Sequence, residues 1–192
     1  DVVEIAGDLF GMFKDTPAAR ELMKYLVTPD AQSIWVKKGG ALSDGGNLYA
    51  WLRRSLRDVE LDGIAERDPG SHGLTFLPFL GGERSLGWDA SRRGLVAGLS
   101  FETTPLDLAQ AALEGVAYRF AEVLEALGGV EEVVVTGGAL LANEDWTQIV
   151  ADVLGRAVHV SGVEEGSARG AALAALGRLD LPAPIERVVE PR

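Results

Sequence analysis

The sequence has 192 residues, of which 47% are hydrophobic and 24% charged, and this length and composition suit a globular domain with a buried core. The formal net charge of −11 argues against binding to a nucleic-acid backbone, which requires clustered Lys and Arg. The chain contains no cysteine, which excludes disulfides, thiolate metal sites and a cysteine nucleophile.

Membrane and metal chemistry are not expected from the sequence. It holds no run of about 18 apolar residues that could span a bilayer. The first residues lack the basic region and cleavage site of a signal peptide, so we expect a cytoplasmic protein. The two histidines, His72 in a turn and His159 in an alternating run, have no metal-ligand spacing. We interpret them as a turn residue and a strand residue.

The first forty residues predict two short helices. Thr16 is a suitable N-cap with Pro17 at the first helical position, and Thr28-Pro29 repeats the same arrangement. Apolar residues follow both starts at helical spacing. We expect a helical segment over residues 1–42.

A glycine-rich stretch then leads into a third predicted helix. Gly45 and Gly46 precede Leu48, Leu52 and Leu56, whose spacing is helical. The free N–H groups and positive dipole end of such a helix suit phosphate. A glycine that merely starts a helix would give the same pattern, and both interpretations remain open.

The middle of the chain alternates strand and helix signals. The run Gly73 to Leu80 is strand-like and precedes Glu83-Arg84, which could be a solvated pair or part of a motif. The run Gly94 to Leu99 predicts a second strand, and Pro105 opens a long helix whose apolar residues lie on one face. Glu114 on this helix is interpreted as structural.

The central stretch contains a strand, a glycine turn and a helix. Val133 to Val135 is a β-branched run typical of a strand buried on both faces. Gly137 and Gly138 allow a sharp turn and close approach of a ligand. Asn143 is a plausible N-cap for the amphipathic helix that follows.

The last third predicts a strand from Ala157 to Ser161 and an alanine-rich helix from Ala168 to Leu176. Pro182 to Arg192 shows no periodicity, and we expect residues 181–192 to form a tail. The alternation of strands and helices predicts an α/β domain.

The central stretch resembles the nucleotide loop of the FGGY carbohydrate kinases, gluconokinase-like members especially. In that family Gly-Gly-Ala is followed by Trp-x-Gln-x-x-Ala-Asp, and the matching positions here are Trp146, Gln148, Ala151 and Asp152. The resemblance runs from about Ser43 to Leu176. It implies that residues 43–180 form the C-terminal, nucleotide-side domain, with an actin-like, ribonuclease-H-like fold and a short N-terminal helical appendage.

The resemblance also implies a set of cofactor-binding residues. They are Gly46, Gly137, Gly138, Ala142 and Asn143. Gly138 would leave space for adenine, and Ala142 or Asn143 would hold the place of a polar residue that meets the base. Some glycerol kinases have glutamine where this chain has Ala50, so that contact is missing. No residue inherits the role of catalytic base.

The implied function is that of the C-terminal half of an ATP-dependent carbohydrate kinase acting on a sugar or sugar acid, gluconate-like. Its cofactors would be ATP or ADP, with Mg²⁺ in the complete enzyme. We expect this chain alone to bind nucleotide without transferring phosphate, and to bind sugar only with its N-terminal half. An uncovered apolar patch would favour self-association.

The N-terminal segment resembles another family. Residues 7–40 are similar to the C-terminal part of sugar-binding proteins of ABC importers. This similarity suggests a chimera joined between about Lys38 and Ser43. The alternative function is therefore a fragment of an importer's substrate-binding protein.

Overall fold

The computed structural model describes residues 2–5, 45–56, 59–83, 86–87, 89–128, 131–163, 169 and 184–192. Its helices, besides a 3₁₀ turn at Ile64–Glu66, are α1 (Gly45–Ser55), α2 (Pro105–Leu127), α3 (Gly138–Leu141) and α4 (Glu144–Leu154). Its strands are β1 (Val2–Ile5), β2 (Thr75–Leu77), β3 (Leu95–Ala97), β4 (Glu132–Val135), β5 (Val158–Ser161) and β6 (Ile185–Val189).

In the described residues, the main sheet has the strand order β1-β4-β5-β6. β1 and β5 both run parallel to β4, and β6 is antiparallel to β5 at the edge. Val133 and Val135 are completely buried and Val134 is nearly so. The β-branched run therefore forms the buried strand that the sequence predicts, because a parallel sheet is covered on both faces.

Helices α2 and α4 pack against each other and contribute much of the hydrophobic core. Trp146 of α4 is fully buried, and its indole Nε1 donates a hydrogen bond to the carbonyl of Leu113 at 3.3 Å. α2 begins with Pro105 after the N-cap Thr104, whose hydroxyl and the carboxylate of Asp107 form a reciprocal capping box. The predicted start of the long helix is thus confirmed.

The antiparallel strands β2 and β3 form a separate two-stranded sheet, called the ribbon below. β2 packs on α2, where Phe76 is buried. A β-carbon at Gly115 would lie 2.7 Å from the carbonyl oxygen of Phe76, so glycine is what allows this close approach. β2 is shorter than the predicted run because Pro78 supplies no N–H to continue the pairing.

Both ends of the chain differ from the expectations. Within the tail expected at residues 181–192, Ile185–Val189 forms the strand β6, which pairs with β5. Val2–Ile5 forms a strand in the main sheet, which the interpretation of residues 1–42 as helical did not anticipate. The two helices predicted over residues 16–35 lie outside the described residues. So does the helix predicted at Ala168 to Leu176, apart from Arg169, which is helical.

Two buried polar clusters hold loops onto α2. The Glu114 carboxylate accepts hydrogen bonds from Gln110, from the backbone N–H of Gly70 and from His72 Nε2. His72 Nδ1 accepts from the backbone N–H of Leu74 at 2.9 Å, which leaves Nε2 as the protonated nitrogen. These contacts agree with a structural role for Glu114.

Glu83 belongs to the second buried cluster. Its side chain is only 3% exposed and pairs with Arg119 at 2.9 Å and with Arg92 at 3.2 Å. Arg119 also lies over the ring of Phe79. The sequence left open whether Glu83 is a solvated loop residue or part of a motif. The solvated interpretation is wrong, because the buried carboxylate holds its loop on α2 through Arg119.

Candidate functional site

The candidate site begins where β4 ends. Gly137 and Gly138 follow this buried strand directly, at the carboxyl end of a parallel sheet, which is where α/β folds bind ligands. Gly137 is buried and has φ 94° and ψ 135°, a conformation that only glycine adopts readily. Gly138 has no positive φ and is exposed, and a β-carbon there would meet no atom of the described residues within 4 Å, apart from its chain neighbours and its own helix backbone. The backbone conformation thus favours glycine at position 137, whereas it imposes no such requirement at Gly138.

Helix α1 packs against α3 and forms the second wall of the candidate site. Gly45 and Gly46 lie in the first turn of α1, so the helix starts at the glycines, as the sequence predicts. Leu48 and Leu52 anchor α1 in the core. The structure therefore brings the helix that carries Gly46 against the short helix that begins at Gly138.

Ala142 and Asn143 border a cavity of about 420 Å³ between α1 and the junction of α3 with α4. This volume falls within the range of small-molecule sites. Ala142 is exposed and has no polar side chain, whereas Asn143 is partly buried. The other lining residues are Tyr49, Arg53, Glu60, Leu61, Asp62, Glu144 and Asp145.

The side chain of Asn143 is held in place by two hydrogen bonds within the protein. Its Oδ1 accepts from the backbone N–H of Trp146 at 2.8 Å, so Asn143 is the N-cap of α4. Its Nδ2 donates to the hydroxyl of Tyr49 at 3.2 Å. Asn143 could turn toward a ligand only by giving up the cap.

Tyr49 connects α1 to α4. Its ring stacks on that of Trp146 with the centroids 5.5 Å apart and the planes 12° from parallel. Tyr49 was not singled out in the sequence, although its position three residues after Gly46 places both on one face of the helix. That spacing is the signal that could have found it.

The cavity is acidic. Among the described residues, its lining includes the carboxylates of Glu60, Asp62, Glu144 and Asp145 and the guanidinium of Arg53. Asp145 is engaged by the backbone N–H groups of Gly63 and Ala65 at 2.8 and 3.4 Å, and Glu144 pairs with Arg187 at 3.5 Å. This charge disfavours phosphate groups and suits a neutral or hydrogen-donating part of a ligand.

Asp152 of the Trp-x-Gln-x-x-Ala-Asp pattern contacts the C-terminal residue Arg192. Its carboxylate accepts from the backbone N–H and the guanidinium of Arg192 and from the amide of Gln148. Burial alone would raise the pKa of Asp152, but these hydrogen bonds and the charge of Arg192 lower it overall. Asp152 and Gln148 therefore fasten the C-terminal segment rather than line the cavity.

Within the ranges that the structure describes, no three or more His, Asp or Glu side chains form a group that could hold a metal ion. No helix among the same residues is long and apolar enough to cross a membrane.

These features define an α/β domain whose glycine turn presents open space to a ligand at the end of a parallel strand. The family model of the C-terminal domain of the FGGY family of carbohydrate kinases matches residues 4–177. The chain belongs to this family, as the resemblance predicts. The match begins ahead of the seam suggested between Lys38 and Ser43, so it gives the chimera no support, and the importer alternative is not supported.

Curated relatives are sugar and polyol kinases. A xylulose kinase of Staphylococcus xylosus is 36% identical over 149 residues, covering 72% of this chain and 30% of the relative. A glycerol kinase of Deinococcus radiodurans is 39% identical over 142 residues, covering 69% of this chain and 28% of the relative. The chain thus spans about 30% of the length of the relatives that it matches.

Solved structures agree on the fold. The ligand-bound xylulose kinase of Lactobacillus acidophilus has a TM-score of 0.64 and 26% identity over 77% of this chain and 34% of that one. The gluconate kinase of the same organism has a TM-score of 0.62 and 25% identity, with the same coverage. A Plasmodium falciparum glycerol kinase solved with ADP has a TM-score of 0.61 at 20% identity, covering 80% and 34%. The domain therefore has the expected actin-like, ribonuclease-H-like fold of these kinases.

Proposed function

We propose that this chain is the nucleotide-binding C-terminal part of an ATP-dependent carbohydrate kinase whose acceptor is a sugar or sugar acid, gluconate-like. Membership of the FGGY family supports the class of reaction. The observation that carries the proposal is the open space at Gly138, because that glycine is not required by its own backbone conformation. A glycine that the backbone conformation does not require can serve to leave room for a ligand.

The nucleotide would lie with its base toward Ala142 and Asn143 and its phosphates toward the first turn of α1. The acidic lining of the cavity opposes phosphate there, whereas the positive dipole end of an eleven-residue helix starting with Gly45 and Gly46 favours it. Gly137 shapes the turn, and Gly138 leaves room for the base. Of the five residues predicted from the sequence, Ala142 and Asn143 line the cavity, whereas Gly46, Gly137 and Gly138 are not among its lining residues.

Mg²⁺ would be held mainly by the nucleotide phosphates in the complete enzyme, because the described residues form no carboxylate cage for it. Bound there, the ion neutralises charge on the phosphates during transfer. We assign no residue of this chain as catalytic base. We therefore expect the isolated chain to bind ADP or ATP weakly and to transfer no phosphate, because positioning and proton removal both need the rest of the kinase.

Titration calorimetry with ADP tests the proposal on wild type and Gly138→Val. The valine side chain enters open space, so the fold should persist while ADP binding is lost. Ala97→Val is the matched control, because Ala97 is exposed on the ribbon and its replacement should leave ADP affinity unchanged.

A coupled assay with gluconate, xylulose and glycerol completes the test, and we expect no turnover from this chain alone. Equal ADP affinity in wild type and Gly138→Val would contradict the nucleotide site. Turnover by the isolated chain would contradict the assignment of the chemistry to the missing part.

A further inference from the structure

The hydroxyl of Tyr49 has an unused hydrogen at the cavity. It accepts a hydrogen bond from Asn143 Nδ2, and no described residue accepts the hydrogen that it carries itself. Tyr49 is partly buried and lines the cavity of about 420 Å³. A tyrosine hydroxyl both donates and accepts, so this one can still donate to a ligand.

The ring that carries this hydroxyl is fixed before any ligand arrives. It stacks on Trp146, which is completely buried and is itself hydrogen-bonded to the carbonyl of Leu113. Asn143, which orients the hydroxyl, is fixed by its capping bond to α4. A donor held from two sides loses little freedom when it binds, which favours a specific contact.

Other lining residues are less suited to read a neutral base. Ala142 and Leu61 have no polar side-chain atoms. Arg53 is exposed and uses one of its five N–H donors on the carbonyl of Val59, so it is charged and less fixed than Tyr49. Asp145 accepts from two backbone N–H groups. The carboxylates at the cavity can accept hydrogen bonds, but a ring nitrogen needs a donor.

We infer that Tyr49 is the specificity-determining residue for the base, its hydroxyl donating to a ring nitrogen of adenine while the acidic lining accepts from the exocyclic amine. The inference rests on the proposed nucleotide-binding function and names the residue that reads the base within it. It also fixes the orientation of the nucleotide, because Gly46 lies one turn before Tyr49 on the same helix and the phosphates extend toward it.

The experiment combines variants of the chain with variants of the ligand. Wild type, Tyr49→Phe and the control Tyr118→Phe are titrated with ADP and with its 1-deaza, 3-deaza and 7-deaza analogues, each lacking one ring nitrogen. Tyr118 is the matched control because it is an exposed tyrosine on α2. Phenylalanine keeps the stacking on Trp146 and removes only the hydroxyl.

We expect Tyr49→Phe to weaken ADP binding about 3- to 10-fold, the usual range for one hydrogen bond, and Tyr118→Phe to leave it unchanged. One deaza analogue should bind wild type as weakly as ADP binds Tyr49→Phe, and Tyr49→Phe should not distinguish that analogue from ADP. A merely structural role for the hydroxyl would weaken ADP and all three analogues by the same factor.

Three results would overturn the inference. The first is equal ADP affinity in wild type and Tyr49→Phe, and the second is an equal loss for ADP and every analogue. Either would leave the proposed function standing, because wild type still binds ADP. The third is a wild-type chain that binds no ADP, which would contradict the proposed function itself.

Discussion

Gly137 and Gly138 are adjacent in the turn after β4, but substitutions at them should have opposite effects on stability. At Gly137, φ is 94° and ψ 135°, so Gly137→Ala should lower the free energy of unfolding by about 1–3 kcal/mol. Gly138 opens α3 with no positive φ, and Gly138→Ala should leave stability unchanged or raise it by up to about 1 kcal/mol. Urea denaturation of the two variants measures the difference. A Gly138→Ala variant less stable than Gly137→Ala would contradict this division of roles.

Asn143 carries two predictions, a local one as an N-cap and a functional one as a contact to the base. The sequence places Asn143 as an N-cap, and the structure confirms it. Its proposed contact with the base stays a prediction, and the two hydrogen bonds of its side chain favour Tyr49 for that role. The partner of Asn143 lies 94 positions earlier in the chain, so no local pattern could have shown that its amide was engaged.

At the scale of elements, the cap of α4 can be tested through Asn143. Asn143→Ala should lower the free energy of unfolding by about 1 kcal/mol, because the N–H of Trp146 loses its acceptor. Asn143→Asp keeps an acceptor oxygen near the positive end of the helix and should lose much less. Denaturant midpoints of both variants provide the measurement. Equal losses would show that the cap contributes little and that the amide bond to Tyr49 matters more.

The cap of α2 gives a prediction about pH. Hydrogen bonds from the Arg67 side chain, then from the backbone and hydroxyl of Thr104, lower the pKa of Asp107 from 3.8 to about 2. Because the folded-state value lies below the unfolded one, the stability that the carboxylate contributes is present above about pH 4 and lost as pH falls toward about 2.

Asp107→Asn tests this pH dependence. We expect the variant to be less stable by about 0.5–1 kcal/mol near pH 7, a modest value because the ion pair lies near the surface. The difference from wild type should shrink below pH 4, measured by thermal unfolding in matched buffers. A difference that is constant from pH 7 to pH 2 would assign the loss to packing rather than to charge.

Elements with strong local signals could be predicted from the sequence, and elements defined by distant pairing could not. The valines of β4 and the Pro105 start of α2 were identified because these residues indicate burial and a helix start directly. β6 was missed because the sequence of Ile185–Val189 does not alternate between polar and apolar residues. Its strand conformation comes from pairing with β5, which no local window contains.

At the scale of the whole molecule, self-association stays a prediction. The ribbon and the loop after it expose several large apolar side chains, namely Leu77, Leu95, Leu99 and Phe101. Leu77 and Leu95 are directly paired across the ribbon. Such a group of exposed apolar residues favours contact with a second copy of the chain when nothing else covers it.

Sedimentation over a series of concentrations tests this self-association. Leu95→Lys should reduce the concentration-dependent increase in mass, because it places a charge in the centre of the apolar group. Val188→Lys is the control, since Val188 is similarly exposed but lies on β6 of the other sheet. A wild-type chain that stays monomeric at every concentration would contradict the prediction.

The exposure of Ala142 at the cavity makes the proposed nucleotide site accessible to thiol chemistry. The chain contains no cysteine, so Ala142→Cys would carry its only thiol, at a position that is exposed and lines the cavity. A maleimide reagent would then modify this position alone, and bound ADP should slow the modification by shielding the thiol. The rate of labelling would report occupancy of the site directly, without any need for phosphate transfer.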